Sequence, residues 1–395
     1  MTEPPRSPAV DIAIIGGGIH GVGIAQAAAA SGYSVLLLEK AHLAAGTSSQ
    51  SSKLIHGGLR YLDQGNIGLV RESLRERRIL LRNAPHLVHL NRFWIPAYKG
   101  GAYPTWKIRL GLTAYAVLSG SNPLPALHGR SSRQFPILLQ EKLRAVFGYR
   151  DAQTDDGQLT RAVAASARAL GATILTGTRM VLARLKDDGY EISAQRAGEL
   201  KRVTCRALIN AAGPWVNEVA EHIHPDPEQI PVELVKGSHL IIESQVSREC
   251  FYLPSIDDKR WIFVLPWQGK TLLGTTEAIF NGHPDQVTVS GEEVDYLVRQ
   301  FNHYFPSLAN PVICDTLSGL RVLPVAATSP FNRRRDVHFV SQKTGSAAYI
   351  AVYGGKLTGY RATAEKVITE LKPVLGARAR KANTAKLPLP ELSDP

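Results

Sequence analysis

Val10–Lys40 reads VDIAIIGGGIHGVGIAQAAAASGYSVLLLEK. Val10 to Ile15 is an apolar run of strand length, as in a parallel strand buried on both faces. Gly16, Gly18 and Gly21 follow in G-x-G-x-x-G spacing. Gly16 permits a sharp turn, Gly18 lets backbone approach a pyrophosphate, and Gly21 lets a helix pack close to the strand. The Ala-rich stretch after them predicts a helix whose first N–H groups face the phosphates. Gly32 ends it, and Ser34–Leu38 predicts a second strand. Glu39 closes that strand, placed to accept both ribose hydroxyls and to repel a 2′-phosphate. Strand, turn, helix, strand and acid in this order predict a dinucleotide site for FAD or NAD rather than NADP. Its position at the N-terminal end of the sequence favours FAD.

Around this unit lies a chain of 395 residues, 44% hydrophobic and 20% charged, enough for two or three domains with a sizeable core. Lys and Arg total 46 against 34 Asp and Glu, a formal charge of +12. That excess suits nucleic acid, an anionic membrane surface or a phosphorylated small molecule, and composition does not choose among them. Cys205, Cys250 and Cys314 form no CxxC pair, so neither a disulfide framework nor a zinc site is expected, and no other metal site is expected either. The polar, Pro-rich start and the lack of any apolar run near 18 residues predict a soluble or peripheral protein made in the cytoplasm.

Beyond Lys40, the hydroxyl-rich GTSSQSSK (46–53) reads as a loop that donates hydrogen bonds without bulk. Asn66–Asn83 has helical periodicity through Ile67, Val70, Leu74 and Leu81, with its arginines read as a solvated face. Residues 155–177 form a helix-to-strand unit, and CRALINAAGPWVNEVA (205–220) a strand, small-residue turn and helix. Stretches within 232–280 alternate and carry aromatics, which predicts an antiparallel sheet in a second domain. AYIAVYGGKLTGYRATAEKVITEL (348–371) is a further strand, Gly-Gly turn and helix, after which the chain reads as a tail.

Three glycine turns joining strand to helix are thus present, at 16–21, 211–215 and 354–358. With SSKLIHGGLRYL, NAAGPWV, KGSHL, LLGTTE, SGLRVL and GGKLTGYR they resemble the FAD-dependent glycerol-3-phosphate dehydrogenases of the D-amino-acid-oxidase-like flavoprotein group, over about 11–371. The resemblance implies an α/β fold: a Rossmann-like FAD-binding domain with an inserted antiparallel-sheet (α+β) substrate domain. The expected division is 1–90, 145–228 and 312–372 for FAD, 91–144 and 229–311 for substrate, and 373–395 as the tail. Many bacterial members continue into a helical domain about where this sequence ends.

The activity so implied is oxidation of sn-glycerol 3-phosphate to dihydroxyacetone phosphate, with hydride to flavin N5 and electrons to membrane quinone. The family is peripheral to the membrane, here on its inner face, and a homodimer is an open possibility. TWKIRLGLTAYAVL (105–118) reads either as an interfacial helix or as an ordinary helix of the second domain.

Matched residue by residue, Arg60, Arg321 and Arg335 would clamp the phosphate dianion, arginine being suited to paired donation. Arg333 and Arg334 blur the match at Arg335. His239 would be the general base, with Tyr61 and Thr276 donating to substrate. Lys356 would stabilise charge on reduced flavin, aided by a helix start. Cofactor contacts are expected at Gly16, Gly18, Gly21, Glu39 and Lys40; at Thr47, Ser48, Ser49, Ser52, Lys53, Leu54 and His56; and at Val181, Ala211, Gly213, Gly355, Lys356, Leu357 and Thr358. One rival is a flavin oxidase of an amino or hydroxy acid using oxygen. A second is a non-catalytic FAD-binding protein acting on nucleic acid, for which no motif appears.

Overall fold

A computed structural model of the chain describes residues 9–392 except 64, 123, 125–128, 259 and 326–335, together with all but a few side chains, Arg60 among the exceptions. Its first sheet runs in the order Ile223–His224, Thr178–Lys186, Gly189–Arg196, Glu199–Asn210, Ala9–Ile15, Val35–Leu38, Thr173–Leu175. Ala347–Gly354 lies parallel to the second half of Glu199–Asn210, with Val337–Thr344 antiparallel beyond it. Ala9–Ile15 sits between parallel neighbours on both sides, which explains its unbroken apolar run. The helix Ile19–Ala30 is almost wholly buried and packs on the helices Asp156–Ala169 and Tyr360–Leu375. Its small residues let that happen: a Cβ on Gly23 would stand 2.6 Å from the Tyr360 ring.

The second sheet runs Ala278–Phe280, Val232–Ile242, Lys270–Gly274, Trp261–Trp267, Cys250–Pro254, Val88–Tyr98, Leu143–Thr154, Leu54–Ile55, with Ile313–Pro324 along Val232–Ile242. It is antiparallel except where Cys250–Pro254 meets Val88–Tyr98. Alternation along Val88–Tyr98 serves two cores. Phe93 and Ile95 face the helices Ile67–Asn83 and Thr105–Ser119, while Trp94 faces the helix Gly291–Tyr304. Leu143–Thr154 and Ile313–Pro324, grouped by sequence with the cofactor-binding stretches, pair within this second sheet.

Two expectations are corrected. Residues 376–392 are docked rather than loose. Lys381 donates its backbone N–H to Ala30, Leu389 donates to Asn83, and the Leu389 side chain enters the core beside the first helix. The face carrying Arg77 is not solvated either. Arg77 is buried and pairs with Asp151 at 2.6 Å, and its neighbour Glu76 pairs with Arg361 at 2.7 Å. The helix Thr105–Ser119 buries Ile108, Leu112, Tyr115 and Ala116 but leaves Trp106, Leu110 and Val117 more than 60% exposed.

Candidate active site

The three glycine turns converge on one cavity, lined by Gly16–His20, Leu38–Lys40, Ala45–Ser48, Ala211–Trp215 and Gly354–Leu357. Gly16 has φ +111°, and a Cβ there would lie 2.5 Å from the Ala211 carbonyl oxygen. A Cβ on Gly21 would lie 1.9 Å from the oxygen of Gly16, so no other residue fits. Gly18 N-caps the first helix, and Ser48 Oγ accepts from the backbone N–H of Ile19 at 2.9 Å. Glu39 is buried and accepts the backbone N–H groups of Gly17 and Ala41, which holds its carboxylate at the cavity wall. Lys40 lies 4.1 Å over the Trp215 ring and pairs with Asp285.

A second cavity adjoins the first, and Thr47, Ser51, Arg321, Gly355, Lys356 and Leu357 line both. Thr47 Oγ1 donates to the Leu320 carbonyl at 2.7 Å, tying the hydroxyl loop to the strand that carries Arg321. His239 is buried, with Nε2 2.9 Å from Ser52 Oγ. Burial, with Arg321 and Lys53 nearby, pushes its pKa down to about 3, so the ring is neutral. Leu54, His56, Tyr61, Thr276 and Thr358 also line this cavity. Lys356 Nζ lies 4.0 Å from the centre of the Tyr61 ring.

Several expected cofactor contacts fall elsewhere. Lys53 is buried under the loop, bonded to Asp156 Oδ1 and the Ser49 carbonyl, both at 2.6 Å. It braces the loop and lines neither cavity, and the same holds for Ser49. Ser52, Leu54, His56 and Thr358 line the second cavity, not the first. Val181 sits at a register shift and is exposed, while its neighbours Thr178–Met180 line the cofactor cavity. Thr276 donates its hydroxyl hydrogen to Glu293 Oε1 at 2.6 Å and accepts the Ser238 N–H, so it ties the loop after Lys270–Gly274 to the strand of His239 and to the helix Gly291–Tyr304. Arg335 and the side chain of Arg60 lie outside the described residues.

The sequence reading missed the opposite wall. Arg260 lines the second cavity, paired with Asp258 and donating to the Glu277 carbonyl. The stacked rings of Tyr252, Trp261 and Phe263 lie beside it. Asp151 accepts the Gly57 N–H, the Tyr115 hydroxyl and the Arg77 guanidinium, and burial raises its pKa despite them. An acid in the largely buried strand Leu143–Thr154 was the available signal, whereas no spacing marks Arg260.

The first cavity fits FAD. Gly16 and Gly18 line it with bare backbone, and a helix N-terminus opens on it. Of the five buried side-chain nitrogens without a hydrogen-bond partner among the described residues, four (His20 Nδ1, Trp215 Nε1, His239 Nδ1 and Lys356 Nζ) belong to residues that line the two cavities, and the fifth is His86 Nε2. No group of three His, Cys, Asp or Glu able to hold a metal occurs among the described residues.

Residues 11–361 match the model of the FAD dependent oxidoreductase family. The chain is 40% identical to the glycerol-3-phosphate dehydrogenase of Pseudomonas aeruginosa, over 98% of this chain and 76% of that one. It is 39% identical to the D-erythritol 1-phosphate dehydrogenase of Brucella abortus, over 95% and 75%. The solved glycerol-3-phosphate dehydrogenase from Bacillus halodurans, complexed with FAD, superposes with a TM-score of 0.75 at 26% identity, covering 96% of this chain and 68% of that one. With its glycine turns, paired cavities and neutral histidine in the corresponding fold, the chain belongs to the FAD dependent oxidoreductase family, in the branch of the glycerol-3-phosphate dehydrogenases.

Proposed function

We propose that the protein oxidises sn-glycerol 3-phosphate to dihydroxyacetone phosphate and passes the electrons to a membrane quinone. One observation carries the reading: neutral His239, bonded to Ser52, lines the second cavity near Arg321, which with Lys356 also lines the first. Bound FAD supplies the acceptor for the C2 hydride. Arg321 binds the phosphate dianion through paired N–H donors, with Arg60 and Arg335 as the family match would have them. The Glu277 carboxylate, 3.5 Å away, helps to aim the Arg321 fork. His239 Nε2 takes the proton of the C2 hydroxyl, and Ser52 Oγ is its partner at rest. Burial keeps the imidazole neutral, which leaves one ring nitrogen able to accept a proton. Lys356 Nζ brings positive charge to the junction, where it would offset the negative charge of a reduced cofactor. Tyr61 closes the site over Lys356, and Thr276 acts by fixing the strand of His239 through Glu293.

A peripheral place on the inner membrane face is supported by the helix Thr105–Ser119. Its exposed Trp106, Leu110 and Val117 lie with Lys107 and Arg109, and no Asp or Glu occurs from 77 to 140. No helix among the described residues is long and apolar enough to cross a membrane.

The similarity to a D-erythritol 1-phosphate dehydrogenase favours a second reading, a four-carbon polyol phosphate in the same site. Anaerobic absorbance of the FAD-loaded protein tests both. Bleaching of the oxidised-flavin band by sn-glycerol 3-phosphate at low concentration is expected. Faster bleaching by erythritol 1-phosphate would move the assignment to the longer substrate. Bleaching only by hydroxy or amino acids would overturn both. Reoxidation by a quinone analogue, compared with oxygen, then identifies the acceptor.

A further inference from the structure

His20 occupies the gap between Gly18 and Gly21, at the second position of the first helix, where the pyrophosphate motif itself asks for no particular residue. It lines the cofactor cavity. Its Nδ1 is sealed from solvent without a hydrogen-bond partner. The turn at Gly354-Gly355 passes against the other side of the ring. A Cβ on Gly355 would lie 2.3 Å from His20 Nε2 and 2.7 Å from Cε1. That turn also delivers Lys356, whose buried Nζ has no hydrogen-bond partner and which lines both cavities.

The redox ring of FAD has to reach the junction of the two cavities, because hydride crosses there. Gly355 and Lys356 stand at that junction, and His20 lies directly beneath Gly355. In the tautomer that carries its proton on Nε2, the ring presents a donor at that edge. Nε2 is the nitrogen beside the Gly355 turn. Resting on the assignment of FAD to this cavity, we propose that His20 is a flavin ligand, donating Nε2–H to the carbonyl-bearing pyrimidine end of the ring and working with Lys356 to favour the reduced form. Burial lowers the His20 pKa to about 4, which keeps the imidazole a neutral donor. A donor at this end binds more tightly once two electrons have added negative charge to it.

The test uses the FAD-loaded enzyme with His20→Leu, which removes the donor, and His20→Asn, which retains one. Dissociation constants for oxidised and reduced FAD and the midpoint potential are measured for each. In His20→Leu, reduced FAD should bind about tenfold more weakly, the scale of one lost hydrogen bond to a charged group. Oxidised FAD should be little affected, and the potential should fall by about 30 mV per tenfold of difference for a two-electron couple. His20→Asn should fall between that variant and wild type. Equal weakening of both forms, with an unmoved potential, would mean that His20 only packs, and would overturn the proposal. Should His20→Leu not fold, His20→Met offers the same comparison. Wild-type protein that binds no FAD would instead sink the cofactor assignment, so the two failures are distinguishable.

Discussion

The two cavities are built from opposite materials. The cofactor cavity is bounded by bare backbone at three glycine turns, and its conspicuous charged group, Glu39, is held by main-chain N–H groups. The substrate cavity is bounded by side chains: His239, Arg321, Lys356, Arg260 and Asp151, brought together from separate strands and turns. Backbone cradles depend on spacing within one short stretch. Side-chain sites depend on the register of strands far apart in sequence.

Breaking the first material should have the largest effect. Gly21→Val places carbon against the Gly16 carbonyl, so the turn has to open. We expect a protein that neither retains FAD nor folds stably, read by flavin content after gel filtration and by circular dichroism. Changing the second material should leave the flavin in place. His239→Asn should retain FAD yet lose about 10²–10⁴-fold in the rate of anaerobic bleaching, the usual worth of a positioned base. If flavin is lost instead, the division between the two cavities fails.

Asp151 sharpens the contrast, since it serves both packing and site. Asp151→Ala leaves the Arg77 guanidinium buried and unpaired and should cost about 3–5 kcal/mol of stability. Urea unfolding of the holoenzyme reads this directly. A rise in KM without a loss of stability would make Asp151 a substrate group rather than a brace.

The smallest effect is a pH dependence. His239 and His20 have folded pKa values of about 3 and 4, below the ordinary value of 6.5. Between those limits the unfolded chain binds more protons than the folded one, so stability rises with pH across that window. It is complete above about 6.5 and falls as pH drops toward 4. Urea midpoints at pH 5 and pH 7.5 should differ in that direction, and less so in His239→Asn.

The same contrast explains what the sequence disclosed. The unit from Val10 to Glu39 was legible outright, because each element constrains its neighbour within a few residues. His239 and Arg321 stood out only through family resemblance. Their strands pair in register across a long interval, with Val235 opposite Arg321 and His239 opposite Leu317. Lys53 misled for a physical reason. It was expected at the cofactor from its place in the matched loop, but it pairs with Asp156 from the helix Asp156–Ala169. Arg77 misled likewise, because its partner Asp151 is on a strand that sequence alone did not place beside it. The segment after Leu375 has a tail's composition, yet its main-chain groups meet those of Ala30 and Asn83.

The wall shared by the two cavities has a thermodynamic consequence. Thr47, Ser51, Arg321, Gly355, Lys356 and Leu357 are surfaces of both sites at once. Two ligands that shape the same residues cannot bind independently, and their coupling is reciprocal. Whatever factor the cofactor adds to the affinity for substrate, substrate returns to the affinity for cofactor. Flavin retention therefore becomes a readout of substrate supply, and a variant in the shared wall should alter both affinities together.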